Sequence, residues 1–229
     1  MDKKDFFPKA AVFDLDGTMF DSERIVAYSW NVVGKRMGYG EHLGDENIRN
    51  TLGMTRETRK QYYLDKYGED FPYDEFQEEY PKVYVEYDKT YGVPVKEGLY
   101  ELLDALEEKK IPAAVATSSS PDHAFWNLEQ AGIRDRFAAV ITGQMVKEGK
   151  PSPEIYLTAC RELGVDPKTA MALEDAPSGI ISASRAGMYT VLIPDLLEEF
   201  GEAQQYVCRQ VRSLKEVAEW IRSHGDSQE

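Results

Sequence analysis

Two aspartates separated by one residue, Asp14 and Asp16, end the chain's first apolar run, Ala10-Ala11-Val12-Phe13, and Gly17-Thr18 follow at once. Carboxylates this close repel each other unless a proton or a cation joins them. The same residues also read as an Asp-Gly turn whose acids cap loop amides. A second acid pair, Glu174-Asp175, follows Met171-Ala172-Leu173, with Pro177 and Gly179 making a turn the plainer alternative. Thr117-Ser118-Ser119-Ser120 after Ala113–Ala116 offers hydroxyls and loop amides that can bind phosphate oxygens, or cap a following helix. Lys150, between Gly149 and Pro151 in a loop poor in cations, can neutralise a phosphate or be an ordinary surface lysine. Each feature alone is weak. Four of them, each ending a strand or lying in a loop with a defined use around one phosphate, are hard to explain by chance.

The elements that must position these residues follow from periodicity. Short apolar runs ended by acids or hydroxyls read as buried strands of a parallel sheet, which places their polar ends where open α/β sheets bind ligands. Runs at Ala113–Ala116, Ala138–Ile141, Met171–Leu173 and Tyr189–Ile193 alternate with helical stripes such as Leu99, Leu102, Leu103, Leu106 and Tyr156, Ala159, Cys160, Leu163. That rhythm predicts an α/β chain with a doubly wound parallel sheet, a Rossmann-like core with helices on both faces. Residues 23–91 break it. Val26, Trp30, Val33 and Met37 fall at helical spacing, a second helix starts at Thr55, and a third stripe carries Phe76, Tyr80, Val83, Tyr84, Tyr87 and Tyr91, with Pro81 expected to kink or divide it. The expected division is a core of residues 1–22 and 92–229 and an inserted α-helical cap domain of residues 23–91, whose tyrosines are read as packing.

Composition narrows the partners. The chain has 27 Lys and Arg against 41 Asp and Glu, a formal charge of −14, which argues against a sequence-independent grip on nucleic acid. Phosphate must then be handled by a few local cations or a bound metal. Cys160 and Cys208 form neither a disulfide framework nor a zinc spacing. No run approaches a membrane span and the first residues lack a signal-peptide pattern, so a cytoplasmic monomer is the simplest expectation. Gly143 to Lys150 has the wrong glycine spacing for a P-loop, and Pro151 stands where Ser or Thr is required. His42, His123 and His224 have no ligand spacing and are expected in surface or packing roles.

Asp14-Leu15-Asp16-Gly17-Thr18, Thr117-Ser118, Lys150 and Glu174-Asp175, in that order, resemble the four-part signature of the haloacid dehalogenase superfamily in its phosphatase and phosphomutase branch. Gly149-Lys150-Pro151-Ser152-Pro153 and Glu174-Asp175-Ala176-Pro177-Ser178-Gly179 match in context too. The resemblance covers almost the whole chain, because the helical insertion lies where that family keeps its cap. It implies that Asp14 attacks phosphorus and that Asp16 protonates the leaving oxygen and then activates water. It implies Mg²⁺ held by Asp14, the Asp16 carbonyl and Asp175, with Glu174 acting through water, and a phosphoryl group bound by Thr117, Ser118 and Lys150. A dehalogenase of this superfamily usually lacks the second acid, and Asp16 is present.

The substrate implied is a small phosphorylated metabolite, with a sugar phosphate the leading choice. Gly53-Met54-Thr55-Arg56-Glu57 resembles the cap loop of β-phosphoglucomutases, in which Arg56 would grip a distal phosphate; the alternative is a solvated first-turn residue. Val26 and Leu52 stand where a mutase is expected to have histidine and lysine, which favours water as acceptor and a phosphatase over a phosphosugar isomerase. A catalytically silent binding module is the remaining alternative, and the intact Asp14, Asp16, Lys150 and Asp175 argue against it.

Overall fold

The computed structural model describes residues 6–51, 54, 56–197 and 199–224. Six strands, β1 (Ala10–Phe13), β2 (Ala113–Thr117), β3 (Ala139–Thr142), β4 (Ala170–Glu174), β5 (Tyr189–Leu192) and β6 (Arg209–Gln210), form one sheet in the order β3-β2-β1-β4-β5-β6. Every pairing is parallel, and Val12 faces Ala114 on one side and Ala172 on the other. All four β1 residues are fully buried, as expected of a central strand covered on both faces. The strand order reverses direction beside β1, so a crevice opens at the carboxyl ends of β1 and β4.

Period-two alternation divides the sheet into two faces. One is built of small residues, Ala10, Val12, Ala114, Ala116, Ala170 and Ala172, and packs with Ile155, Tyr156, Ala159 and Cys160 of α7 (Glu154–Leu163) and Ala183 of α8 (Pro177–Arg185). The alternate residues Ala11, Phe13, Val115, Met171 and Leu173 are equally buried on the other face, where Phe13 meets Phe137 edge-on at 5.6 Å. On the same core unit α5 (Leu99–Glu108) and α9 (Leu214–Ser223) pack on each other, and α6 (Pro121–Gln130) follows β2. Ser120 caps α6, accepting the His123 N–H, with Pro121 in the first turn. This is the doubly wound parallel sheet expected from the alternation of runs. β6, two residues long, has no apolar run to reveal it.

The chain separates into two compact units, one of the residues through Phe20 with those from Val95 onward, the other of Asp21–Pro94. The second is helical: α1 (Ser22–Arg36), α2 (Leu43–Thr51), α3 (Arg56–Tyr67) and α4 (Tyr73–Tyr91). Its centre is aromatic. Trp30 stacks on Tyr63 at 4.8 Å and on Phe76 at 5.0 Å, and Phe71 stacks on Tyr63 at 5.3 Å. Tyr91 ends the α4 stripe 75% exposed. α4 runs as one helix through Pro81, which lies on its exposed side, so the expected division at Pro81 does not occur. The helix start expected at Thr55 lies outside the described residues, as do Leu52 and Gly53; α3 is described from Arg56. α2 was not expected at all. Its buried side is Leu43, Gly44, Asn47 and Thr51, mostly small or polar, so no hydrophobic period marks it. Among the described residues, no helix is long and apolar enough to cross a membrane.

Gly44 lets α2 sit directly on α1. A Cβ there would lie 1.9 Å from the Ala27 carbonyl oxygen, a clash with backbone that no rotamer change relieves. Gly44→Ala is expected to cost about 2–4 kcal/mol, measured as a drop in the urea midpoint followed by tryptophan fluorescence. An unchanged midpoint would show that the two helices have slack.

Candidate active site

Asp14 is the first residue beyond β1, and its N–H donates to the Leu173 carbonyl at 2.9 Å, carrying the ladder with β4 one step further. The backbone then turns tightly, with Met19 N–H donating to Leu15 O at 2.9 Å and Gly17 N–H to Phe20 O at 2.8 Å. Gly17 takes φ +83°, and a Cβ on it would fall 2.2 Å from Asp175 Oδ2. Glycine is therefore required twice over, for the turn and for the approach of the two acid-bearing loops. Thr18 Oγ1 donates to Asp175 Oδ1 at 3.1 Å.

Lys150 reaches into this corner from the loop before α7, with its side chain 5% exposed. Its Nζ donates to Asp14 Oδ1 at 2.5 Å, Glu174 Oε1 at 2.7 Å and the Ala116 carbonyl at 3.0 Å. It also sits 5.2 Å from the centre of the Tyr156 ring, whose hydroxyl donates to Glu174 Oε1. The core helix α7 thus supplies both the apolar floor and a donor for the site. Tyr156 belongs to a helical stripe that reads as packing, and nothing in its spacing reveals its hydroxyl's use.

Oxygens of Asp14, Glu174 and Asp175 lie within 4.8 Å of one another. With one ammonium against three carboxylates, two negative charges are uncompensated when all are ionised. Burial pushes the Asp14 carboxyl up to about 8 against the pull of Lys150, with Glu174 adding to the rise. Burial also raises Asp175 well above the carboxylate range, helped by the charges of Asp14, Glu174 and Asp195. For Lys150 burial works downward, but Asp14 and Glu174 outweigh it and hold the ammonium above its usual value. Glu174 Oε2 is buried without a protein partner among the described residues. A hard divalent cation fits this donor set: all ligands are oxygens, and its charge equals the deficit.

The other expected residues fall as follows. Thr117 ends β2, fully buried, its hydroxyl accepting the Ser119 N–H at 3.0 Å, and Ser118 is exposed beside it. Asp16 is partly exposed, and its carboxylate bonds to Ser119 and His123 rather than entering the acid cluster. His123, expected in a surface or packing role, is partly exposed and meets the Asp16 carboxylate. Its ring joins Asp16 across 107 positions of sequence, a contact no local spacing could show. In the helical unit Arg56 is exposed and pairs with Asp74 at 3.4 Å. A separate cavity of roughly 150 Å³ within that unit is lined by Arg59 together with Glu23, Val26, Trp30, Tyr63 and Tyr80. Arg59 had no motif to single it out.

Acids and a buried lysine gathered at the switch point of an open parallel sheet define an α/β enzyme built to handle an anionic group. The chain belongs to the haloacid dehalogenase-like hydrolase family, whose model matches residues 11–193. It is 35% identical to the validoxylamine A 7'-phosphate phosphatase of Streptomyces hygroscopicus subsp. limoneus over 80% of this chain and 84% of that one. It is 28% identical to the phosphorylated carbohydrates phosphatase of Thermotoga maritima over 79% and 82% of the two chains. Among solved structures, CbbY from Rhodobacter sphaeroides in complex with phosphate superposes with a TM-score of 0.70 at 27% identity, covering 92% of this chain and 96% of that one.

The raised acids fix a pH dependence. Asp14 titrates near 8 in the fold and near 3.8 when unperturbed. Between those values the metal-free fold holds a proton that the unfolded chain has lost, so this group's contribution to stability falls as pH rises through that window. A cation that replaces the proton reverses the loss. The rise in Tm on adding Mg²⁺ is expected to be larger at pH 8 than at pH 5.5 by differential scanning fluorimetry. An increment that shrinks with pH would contradict the shared site.

Proposed function

We propose that this phosphoric monoester hydrolase acts on small phosphorylated metabolites, sugar phosphates foremost, through an aspartyl-phosphate on Asp14. The observation that carries this reading is the buried contact of Lys150 with both Asp14 and Glu174 at the ends of β1 and β4. Lys150 keeps an anionic Asp14 oxygen available beside a dianionic phosphate and offsets the charge gathering there. Asp14 forms the bond to phosphorus as the ester P–O bond breaks, and Asp16 gives its proton to the leaving oxygen. Asp16 then takes a proton from the water that releases phosphate from Asp14. The Thr117 hydroxyl and the Ser118 amide orient the phosphoryl oxygens. Asp14, Asp175, the Asp16 carbonyl and, through water, Glu174 would hold Mg²⁺, which when bound screens nucleophile and phosphate from each other.

Relatives named for a sugar-like phosphate and for phosphorylated carbohydrates support the substrate class. A mutase must keep its intermediate and align a second hydroxyl against it. Val26 stands where the resemblance to β-phosphoglucomutases implies a histidine, and a valine side chain can neither donate nor accept a hydrogen bond. This favours water as the acceptor.

Asp14→Asn is expected to lower turnover at least about 10³-fold while leaving the melting curve cooperative. In the wild type, acid-quenched reactions should carry phosphate on the peptide containing Asp14 by mass spectrometry. Phosphate found on another residue would end the mechanism. With β-glucose 1-phosphate and a bisphosphate primer, inorganic phosphate should form faster than glucose 6-phosphate. The opposite ratio would make the enzyme a phosphomutase.

A further inference from the structure

The carboxylate of Asp16 faces away from the acids that attract a cation. Its Oδ2 accepts from the Ser119 hydroxyl at 2.5 Å, and its Oδ1 lies 3.0 Å from His123 Nε2. Both partners follow β2, on the flank of β1 opposite β4, so the cation-seeking acids and the Asp16 partners lie on either side of Asp14. His123 occupies the first turn of α6, held there by a helix cap and a proline. Asn127, one turn further along α6 and 1% exposed, lies 3.0 Å from the same ring nitrogen. The Asn127 amide nitrogen faces Nε2 while its oxygen is buried without a hydrogen-bond partner among the described residues; an amide turned through 180° would let that oxygen accept from an Nε2–H that also faces Asp16. One ring nitrogen thus stands between Asp16 and a buried Asn127.

We propose that His123 is a positioning residue for Asp16, a role that rests on Asp16 being the acid and base of the reaction. A proton donor contributes only when its proton points at the departing oxygen. Asp16 follows the sheet on a turn with its side chain one quarter exposed, and His123 is one of the groups that hold its carboxyl. His123 fixes Oδ1. Oδ2 is bonded by a hydroxyl that turns about its own C–O bond, which makes it the oxygen able to carry the proton. In the first step that proton passes to the ester oxygen as its bond to phosphorus breaks and the Asp14 bond forms. In the second, the same carboxylate accepts a proton from water as oxygen bonds to phosphorus and the Asp14 bond breaks. The balance is ester plus water giving alcohol plus phosphate, with Asp16 restored. His123 gains and loses nothing. It sets direction.

This assignment separates from mere structural support by its dependence on the leaving group. Nitrophenolate departs without a proton, whereas phenolate and alkoxides need one. Because kcat/KM reports only the steps through formation of the aspartyl-phosphate, it isolates the first proton transfer. His123→Ala is expected to lower kcat/KM about tenfold more for phenyl phosphate and glycerol 2-phosphate than for p-nitrophenyl phosphate. His123→Gln, whose amide N–H can stand near the place of Nε2, should recover much of the difference, and the Mg²⁺ dependence of both variants should match the wild type. An equal loss on all three esters, or no rescue by glutamine, would overturn the positioning role. Asp16→Asn is measured beside them. If it too loses equally on all three esters, the acid–base reading of Asp16 fails; if it discriminates and His123→Ala does not, only the role of His123 fails. Should the alanine variant not fold, His123→Leu against His123→Gln decides the question in the same way.

Discussion

The ammonium of Lys150 carries more of this site than any other group. It is nearly inaccessible, and it spans three neighbouring strand ends by binding Asp14 beyond β1, the Ala116 carbonyl in β2 and Glu174 at the end of β4. Such an arrangement is poor evidence for stability, because drying a charge costs about as much as its partners return. Its use is electrostatic. Asp14, Glu174 and Asp175 crowd within a few ångströms, and opposite charges about 4 Å apart gain on the order of 4 kcal/mol at an effective dielectric of 20. Remove the ammonium and the acids must take up protons or separate.

The sheet makes this corner available. Because the order reverses beside β1, loops from β1 and β4 leave in divergent directions and expose both sets of acids to one crevice. The alanine face beneath does the rest. Ala10, Ala114, Ala116, Ala170 and Ala172 leave room for α7 to pack closely, with Ile155 and Tyr156 fully buried against them. From that depth the Tyr156 hydroxyl reaches Glu174 Oε1, the oxygen that Lys150 also binds. Glu174 is therefore held by two donors on one oxygen, and its other oxygen is left for what the crevice admits.

Legibility in the sequence followed the physics of each element. The central strands, the acids that end them and Lys150 were readable because burial on both faces produces uninterrupted apolar runs, and polar residues after such runs stand out. The helix at Leu43–Thr51 was not, since it buries glycine, asparagine and threonine and so has no apolar stripe. Pro81, on the exposed side of α4, does not divide the helix. At the site, His123 and Tyr156 were visible only as a stray histidine and a core aromatic. Their use depends on contacts with Asp16 and Glu174 that the fold creates across the sheet. Arg59 was hidden beside the more motif-like Arg56, and only the packing of the helical unit shows that Arg59, not Arg56, lines the cavity.

The raised pKa of Asp14 bears on how the crowded acids share their charge. Burial and the charge of Glu174 favour a proton on metal-free Asp14, while Lys150 pulls the other way. A proton and a cation compete for the same excess negative charge. Lys150 does not balance that excess alone, because its single charge is shared between Asp14 and Glu174. Asp16 lies on the other flank of β1, where its carboxylate meets Ser119 and His123. On the proposed reading, that separation lets one crevice hold an anion on one flank of β1 and an acid on the other.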